Sequence, residues 1–227
     1  STPLHQAVKK LCEGPDGLYY ALLFQGGITC FDKDIEKFLP VRFDKPLELK
    51  DILDFCWNDG SLYLVTSQGL FESRIVRKTE GKHDFVLCLL NPEPVVRGKV
   101  AHLCSDGKTN LYFSVNQRKV VHYDLVAKKT SLIKEYSVVN RLFLRHGYLW
   151  ICRLWDDIIC YDLKTNEERV ISMEGKDQSE FSNSYVTDLV LKDNRTFYLT
   201  TWNGLYKLRF DNDNLCKSPF VLTLLTK

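Results

Sequence analysis

The segment LWICRLWDDIICYDL, from Leu149 to Leu163, reads as two short apolar strands joined by a polar turn and ended by an aromatic residue. The same pattern occurs at four other places in the chain. These are LYYALLFQGGITCFD from Leu18, LYLVTSQGLFES from Leu62, LYFSVNQRKVVHYDL from Leu111 and FYLTTWNGLYKLRF from Phe197. Hairpins that return at a period of about 45 residues are typical of repeats that stack side by side, each burying its faces against its neighbours.

Each repeat extends to four predicted strands, because a further apolar run flanks the hairpin on either side. Clusters of Gly, Asn and Asp separate the runs and favour tight turns. The sequence therefore predicts an all-β fold, a five-bladed β-propeller with four antiparallel strands per blade and each blade contiguous in sequence. We expect a single domain over 1–227, with blades at about 7–43, 51–90, 99–136, 138–173 and 184–225.

The repeats resemble those of the WD40-like and quinoprotein-like propeller superfamily. The resemblance rests on LWICRLWDDIICYDLKTNE and LYFSVNQRKVVHYDLVAKKT, in which a strand, a turn, a second strand ending in Tyr-Asp-Leu and a polar turn follow in order. No repeat begins with Gly-His or ends with Trp-Asp, since the pair Trp155-Asp156 falls in a predicted turn. The resemblance implies the architecture, and it does not extend to the hydrogen-bonded side-chain tetrad of WD40 repeats.

Composition argues against several classes of function. The 31 basic and 29 acidic residues leave a net charge of +2, which is too small to indicate a nucleic-acid-binding domain by itself. No apolar run approaches the roughly 18 residues of a membrane span, so we expect no membrane partner. The sequence contains no P-loop, no dinucleotide-binding fingerprint and no His-Glu-x-x-His motif, and we expect no cofactor.

The eight cysteines lie mostly within apolar strand patterns, without a Cys-x-x-Cys pair or a Cys/His cluster at zinc spacing. We interpret them as small apolar side chains packed between blades, and we expect no metal site. Eight such thiols are typical of a reducing compartment. The sequence thus predicts a cytoplasmic or nuclear location.

The turns between the second and third strands of the blades lie together on one face of a propeller. Two of these turns carry tryptophan, in the pairs Trp155-Asp156 and Trp202-Asn203 of adjacent blades. An exposed Trp beside polar groups is typical of a binding hot spot, although each ring could instead fold onto its own blade. We expect these four residues to contact a protein or peptide partner, together with the rim residues Gln25, Gln68, Gln117 and Arg118.

The innermost strands carry polar residues at similar places, namely Lys10, Asp54, His102, Arg141 and Asp188. Together they would form a ring at the channel, either as a pocket for a small ligand or as a mutually neutralising wall. A glycosidase needs carboxylates roughly 5–10 Å apart, and this ring supplies only two. The sequence therefore names no catalytic residue.

The connection after the third strand of the second blade is basic and contains Arg74, Arg77, Lys78, Lys82 and His83. It is interpreted as a solvated loop or as a contact for nucleic acid. The preferred function is a non-catalytic interaction module, a monomeric propeller within a larger complex. The alternatives are a carbohydrate-active hydrolase or sugar-binding lectin at the channel mouth and, third, nucleic-acid binding through basic loops.

Overall fold

Runs rich in Val, Ile, Leu, Phe and Tyr form strands, because their alternate side chains can be buried on the two faces of a sheet. The computed structural model describes residues 7–24, 26–33, 35–43, 52–77, 84–154, 157–172 and 185–226. Within those ranges the regular structure consists of β-strands. None of the described residues forms a helix with the length and hydropathy needed to cross a bilayer.

The strands follow the five predicted repeats. Repeat one contains β1 (Val8–Glu13), β2 (Tyr19–Leu23), β3 (Ile28–Asp32) and β4 (Lys37–Phe43). Repeat two contains β5 (Ile52–Asn58), β6 (Ser61–Thr66), β7 (Gly69–Arg77) and β8 (Phe85–Leu89), and the short β9 (Val96–Arg97) follows it. Repeat three contains β10 (Val100–Ser105), β11 (Asn110–Val115), β12 (Lys119–Asp124) and β13 (Lys129–Glu135).

Repeat four contains β14 (Val139–Arg145), β15 (Tyr148–Arg153), β16 (Ile158–Asp162) and β17 (Glu168–Ile171). Repeat five contains β18 (Val186–Asp193), β19 (Thr196–Thr201), β20 (Gly204–Phe210) and β21 (Phe220–Thr226). Repeats three, four and five are each a four-stranded sheet with its strands in sequence order. The predicted all-β class and the four-stranded antiparallel unit are confirmed.

Repeats one and two differ from the other three because they share one sheet. Their outer strands pair in parallel, with Val41 opposite Phe85 and Phe43 opposite Leu87, so the strand order is β1-β2-β3-β4-β8-β7-β6-β5. The short β9 adds to β7 through the pairs Gly69–Arg97 and Leu70–Val96. The sequence did not predict either contact, because both join segments that are distant along the chain.

The hairpin turns follow from their glycines. Between β5 and β6, Asp59 and Gly60 have φ values of 44° and 78°. Between β14 and β15, His146 and Gly147 have φ values of 52° and 78°. Two successive positive φ angles are the geometry of a type I′ turn, which matches the twist of the strands that it joins.

The repeats pack through buried side chains in two compact bodies. The N-terminal body comprises 1–116 and 120–133, and the C-terminal body comprises 117–119 and 134–227. In the N-terminal body one apolar cluster joins repeats one and two and another joins repeats two and three. In the C-terminal body a single cluster joins repeats four and five, where the fully buried Trp150 ring lies 4.7 Å from that of Phe197.

The cysteines are distributed as the packing interpretation expects. Cys30, Cys56, Cys152 and Cys160 are buried, whereas Cys12, Cys88, Cys104 and Cys216 are half-buried. No disulfide joins any of the eight in this structure. No group of three or more His, Cys, Asp or Glu side chains in the described ranges could hold a metal ion.

We predict that Gly69→Ala destabilises the fold by about 2–3 kcal/mol. Gly69 has a φ of +146°, and an added Cβ would lie 2.1 Å from the carbonyl oxygen of Val96 in β9. The substitution therefore strains the backbone and also expels β9 from its place beside β7. Urea unfolding followed by circular dichroism measures the loss.

Gly60→Ala is the matched control. Its φ of +78° is also unfavourable for alanine, but nothing lies within 4 Å of the added Cβ. We expect it to cost only the backbone strain of about 1 kcal/mol. Equal losses in the two variants would show that the contact with β9 has no energetic consequence.

Candidate functional site: a binding face on the C-terminal body

The first strands of the five repeats share one irregularity, a β-bulge close to the position of the predicted ring residue. The pairing register shifts between Val8 and Lys10 in β1, and between Ile52 and Asp54 in β5. It shifts in the same way before Arg141 in β14 and before Asp188 in β18, and across His102 in β10. A bulge redirects the side chain beside it. The five residues are therefore equivalent within their own repeats, and their assembly into one ring stays a prediction.

In the N-terminal body two of these residues form an ion pair. The Lys10 ammonium lies 2.8 Å from Oδ1 of Asp54, with side-chain exposures of 30% and 8%. Lys10 also donates to the carbonyl oxygens of Phe55 at 2.7 Å and Leu103 at 3.4 Å. The other carboxylate oxygen of Asp54 accepts the Leu103 N–H at 2.8 Å. One charge pair thus connects β1, β5 and β10.

These contacts shift the ionisation of both groups. Burial opposes the ionised form of Asp54, but the Lys10 ammonium and the N–H of Leu103 outweigh it, so the pKa of Asp54 lies below its usual range. Burial likewise opposes the charge on Lys10, and the Asp54 carboxylate outweighs it, so the pKa of Lys10 is raised. A carboxylate held ionised in this way cannot serve as the general acid of a glycosidase. This weakens the hydrolase alternative at the position where the sequence offered it.

The equivalent residues of the C-terminal body are arranged differently. Asp188 accepts the N–H of Leu189 at 2.8 Å. The Nε of Arg141 is buried and has no hydrogen-bond partner among the described residues. His102, in the N-terminal body, has a φ of +53° at its bulge. The structure thus brings Lys10 and Asp54 together, and it shows no bond that joins Arg141 to Asp188.

Trp202 is the most exposed aromatic side chain among the described residues, at 69%. Its ring stacks on that of Tyr185, with centroids 4.8 Å apart and planes 21° from parallel. The backbone N–H of Trp202 also donates to the carbonyl oxygen of Tyr185 at 3.2 Å. The indole therefore lies against Tyr185, which immediately precedes β18 of the same repeat, and most of its surface remains exposed.

The turn that carries Trp202 projects from the same end of its sheet as the β15–β16 turn of repeat four. Asn140 donates to the carbonyl oxygen of Val186 at 3.1 Å, so the starts of β14 and β18 lie side by side. The end of β15, Arg153, pairs opposite Val139, and the end of β19, Thr201, pairs opposite Val186. Both turns therefore emerge at this end, which we call the turn face of the C-terminal body.

Arg153, at the turn face, also lines an open groove of about 520 Å³. Its walls come from the end of β13, the β13–β14 connection and strands β15 to β17, and its lining is strongly charged. Lys134 and the Tyr136 hydroxyl donate to the two carboxylate oxygens of Glu168, at 2.5 and 3.0 Å. The lining residues that bear on recognition are Arg118, Lys134, Glu135, Tyr136, Arg153 and Glu168.

Arg118 reaches this groove because its turn is fixed to the C-terminal body. The backbone N–H of Tyr136 donates to the carbonyl oxygen of Arg118 at 3.0 Å. The backbone N–H of Val139 donates to the backbone carbonyl oxygen of Gln117 at 2.7 Å. The Arg118 side chain is mostly exposed and lies 3.6 Å from Glu135. Of the predicted rim residues, Arg118 thus lines the groove, and Gln117 precedes it in the same turn.

The other predicted contact residues have different outcomes. Trp155, Asp156 and Gln25 lie outside the described residues. Asn203 is exposed beside Trp202, and Gln68 is exposed on the β6–β7 turn of the N-terminal body. The sequence analysis missed Tyr185, Arg153, Tyr136 and Glu168. An aromatic residue immediately before the first strand of the last repeat was the one available signal, and it pointed to Tyr185.

The predicted basic connection of repeat two is only partly a loop. Arg74 and Arg77 lie within β7, and Lys78, Lys82 and His83 lie outside the described residues. Arg77 lies 3.8 Å from the buried carboxylate of Asp32, and its guanidinium covers the ring of Phe85 at 5.6 Å. Arg77 therefore has a packing role within the sheet, which weakens the nucleic-acid alternative.

No protein-family model matches the chain, and no curated protein matches it in sequence. Solved structures with a similar fold exist. The extracellular domain of a protein described as a one component system from Bacteroides thetaiotaomicron has a TM-score of 0.68 at 13% identity, over 93% of this chain and 29% of that one. A chain of the mitotic checkpoint complex has a TM-score of 0.63 at 16% identity, over 97% of this chain and 68% of that one.

The N-terminal domain of Nup159 has a TM-score of 0.56 at 13% identity, over 96% of this chain and 62% of that one. At such identities the likeness shows the fold alone, a propeller-like architecture. The chain spans 29%, 30% and 57% of the length of three Bacteroides thetaiotaomicron proteins that it matches.

The predicted cytoplasmic or nuclear location is wrong. Two of the similar structures are extracellular domains of Bacteroides thetaiotaomicron regulatory systems, and another is a surface component of the type-IX secretion system of Porphyromonas gingivalis. Those proteins are extracellular or at the cell surface, which contradicts the prediction. The prediction failed because the free thiols are explained by their packing inside the sheets, which does not depend on the compartment.

We predict that Asp54→Asn lowers the free energy of unfolding at pH 7 by about 3 kcal/mol, because it leaves the Lys10 ammonium without its counter-charge. The partial exposure of Lys10 places the loss at the low end for a buried pair. Urea unfolding measures it. The double variant Lys10→Met with Asp54→Asn should recover part of the loss, since neither charge then remains.

The same pair predicts a pH dependence. Because the pKa of Asp54 is lower in the folded than in the unfolded chain, the unfolded chain takes up the proton first as the pH falls. The contribution is complete above about pH 4 and is lost as the pH falls through the folded-state pKa. Asp54→Asn should lack this component, whereas Asp59→Asn, at an exposed turn, should retain it. Identical acid profiles for Asp54→Asn and the wild type would contradict the assignment.

Proposed function

We propose that the five repeats are consecutive blades of one propeller domain, and that this domain is a non-catalytic binding module, a subunit of a larger complex. Its turn face on the C-terminal body receives a protein or peptide partner. The observation that carries the proposal is the outward Trp202 ring, held by Tyr185 at the end of the C-terminal body where Arg153 leads into a charged groove.

Trp202 has the properties of an anchor residue. A large ring at 69% exposure gains much apolar burial when a partner covers it. Its stacking on Tyr185 already restricts the side chain, so little conformational entropy remains to be lost on binding. Aromatic residues with these properties dominate the energetics of protein interfaces.

The groove supplies the polar part of the surface. Arg118 and Glu135 are exposed charges of opposite sign 3.6 Å apart, and Lys134 and Glu168 form a second such pair. Mixed charges of this kind suit the alternating donors and acceptors of a polypeptide better than the uniformly negative backbone of a nucleic acid. This favours a peptide segment lying along the groove.

Proteins of similar fold bind other proteins. In a structure from Saccharomyces cerevisiae, Dbp5 is bound to Nup159, and another similar chain belongs to the mitotic checkpoint complex. These are properties of those proteins, and they support a protein partner here only as a class. The five-blade count rests on the five equivalent bulges and on the four-stranded units.

A second candidate is non-catalytic sugar binding, which the exposed Trp202 ring, stacked on the half-buried Tyr185, favours. A protein of similar fold from Bacteroides thetaiotaomicron is described as an auxiliary nutrient binding protein. Here the binding site would be the turn face and not the channel mouth. The hydrolase form of this alternative is not proposed, because the predicted ring has only two carboxylates and both oxygens of Asp54 are already engaged, by Lys10 and by the N–H of Leu103.

We predict that Trp202→Ala weakens peptide binding at least tenfold, equivalent to about 1.4 kcal/mol. Short random peptides displayed on phage are selected on the immobilised wild-type protein. The dissociation constant of each selected peptide is then measured by fluorescence polarisation for the wild type and for the variant. The same proteins are applied to a glycan array, which tests the second candidate.

Val126→Ala is the matched control. Val126 is 77% exposed on the β12–β13 turn of the N-terminal body, and its truncation should leave peptide affinity unchanged. Circular dichroism confirms that both variants fold. Peptides that bind wild type and Trp202→Ala equally well would contradict the placement of the site, and glycan binding lost in Trp202→Ala would establish the second candidate instead.

A further inference from the structure

Two cysteines from different repeats meet at one point of the C-terminal body. Cys160 lies on β16 in repeat four, and Cys216 lies in the connection between β20 and β21 in repeat five. The Cys216 thiol is 3.5 Å from the carbonyl oxygen of Cys160 and also 3.5 Å from that of Glu167. The two thiols are close enough for each to shift the pKa of the other.

The connection that carries Cys216 is held in place on both sides of it. The Tyr148 hydroxyl donates to the carbonyl oxygen of Asp213 at 3.1 Å and accepts the N–H of Leu215 at 3.3 Å. Leu215 is fully buried in the cluster between repeats four and five. The N–H of Ser218 donates to the carbonyl oxygen of Asn214 at 2.8 Å. Cys216 is therefore positioned against Cys160 by its neighbours.

The two thiols differ in access and in acidity. Cys160 has no exposed surface, whereas Cys216 is half-buried. The interaction with Cys216, together with burial, raises the pKa of Cys160, and the same interaction lowers the pKa of Cys216. Cys216 is thus the accessible sulfur with the larger thiolate fraction, which is the form that reacts with a disulfide.

We propose that Cys160 and Cys216 are a modification site, a thiol pair that closes to a disulfide when a low-molecular-weight disulfide such as oxidised glutathione is present. This goes beyond the proposed binding function and does not depend on it. The bond would join β16 of repeat four to the β20–β21 connection of repeat five.

The reaction has two exchange steps. The Cys216 thiolate attacks one sulfur of oxidised glutathione, an S–S bond to Cys216 forms, and one glutathione thiolate leaves and takes up a proton. Cys160 then loses its proton to water and attacks the Cys216 sulfur, which releases the second glutathione thiolate, again to be protonated. In total the two protein thiols are oxidised and one molecule of oxidised glutathione is reduced to two of glutathione. The order follows from access, because only the outer sulfur meets the oxidant.

Closure would bridge positions 56 residues apart in the chain. A cross-link over such a loop removes conformations from the unfolded chain and raises stability. It would also tie together the two repeats that carry the turn face. Oxidising surroundings outside the cytoplasm would keep the bond formed, and reducing ones would keep it open.

The test incubates the purified full chain with oxidised glutathione and maps its disulfides by mass spectrometry of non-reduced peptides. We expect a Cys160–Cys216 cross-link, the loss of two of the eight titratable thiols under denaturing conditions, and a rise in melting temperature that reduction reverses. In Cys160→Ser, which lacks the inner thiol, a single glutathione should remain attached to Cys216. In Cys216→Ser, Cys160 should stay unmodified because the oxidant cannot reach it.

Cys152→Ala is the matched control, since Cys152 is a fully buried thiol of the same apolar cluster and should leave the cross-link intact. Circular dichroism checks the folding of each variant. If Cys160→Ser does not fold, Cys160→Ala and the wild-type peptide map decide the outcome. The proposal is overturned if the wild type keeps both thiols after incubation, or if it carries glutathione on Cys216 without closing the bond.

Discussion

The ion pair between Lys10 and Asp54 is the contact on which the N-terminal body depends, because it connects the first strands of three repeats at one point. Apolar clusters also hold these repeats together, but they tolerate small shifts because the hydrophobic effect is not directional. A buried charge tolerates no such shift, because it must keep its hydrogen-bond partners. Once Lys10 is placed between the strands, the Asp54 carboxylate and the carbonyl oxygen of Leu103 must be in reach, so the pair sets the alignment of neighbouring repeats.

The recurring bulge explains how five similar repeats can carry different polar residues at the same position. In the first strand of each repeat the bulge lies beside one polar residue. Lys10 and Asp54 form an ion pair in the N-terminal body, whereas Arg141 Nε in the C-terminal body has no hydrogen-bond partner among the described residues. The hairpin turns are outside these constraints. They can therefore carry Trp202 or the exposed Arg118 at little cost to the sheets, as is usual for recognition loops on a rigid scaffold.

The strands could be predicted from the sequence because each hairpin is encoded locally, by an apolar run, a turn with Gly or Asn, and a second run. The pairing of β4 with β8 and the addition of β9 could not, because nothing near Val41 or Val96 indicates a distant partner. The site follows the same rule. Trp202 could be proposed as a contact residue because it lies in a polar turn. The groove could not be proposed, because it depends on Arg118 and Glu168, which only the folded chain brings together. The cysteine count led to a wrong compartment because it ignored what the thiols pack against.

The parallel pairing of β4 with β8 sets the first two repeats apart in how the protein can change over evolution. Repeats that meet only through side chains can be duplicated or lost one at a time, provided that the new neighbours fit. Repeats one and two share backbone hydrogen bonds between Val41–Phe43 and Phe85–Leu87, and removal of either would leave an open strand edge on the other. Loss of either repeat would therefore expose a strand edge that the other now covers, a cost that repeats three, four and five do not carry because each forms its own sheet.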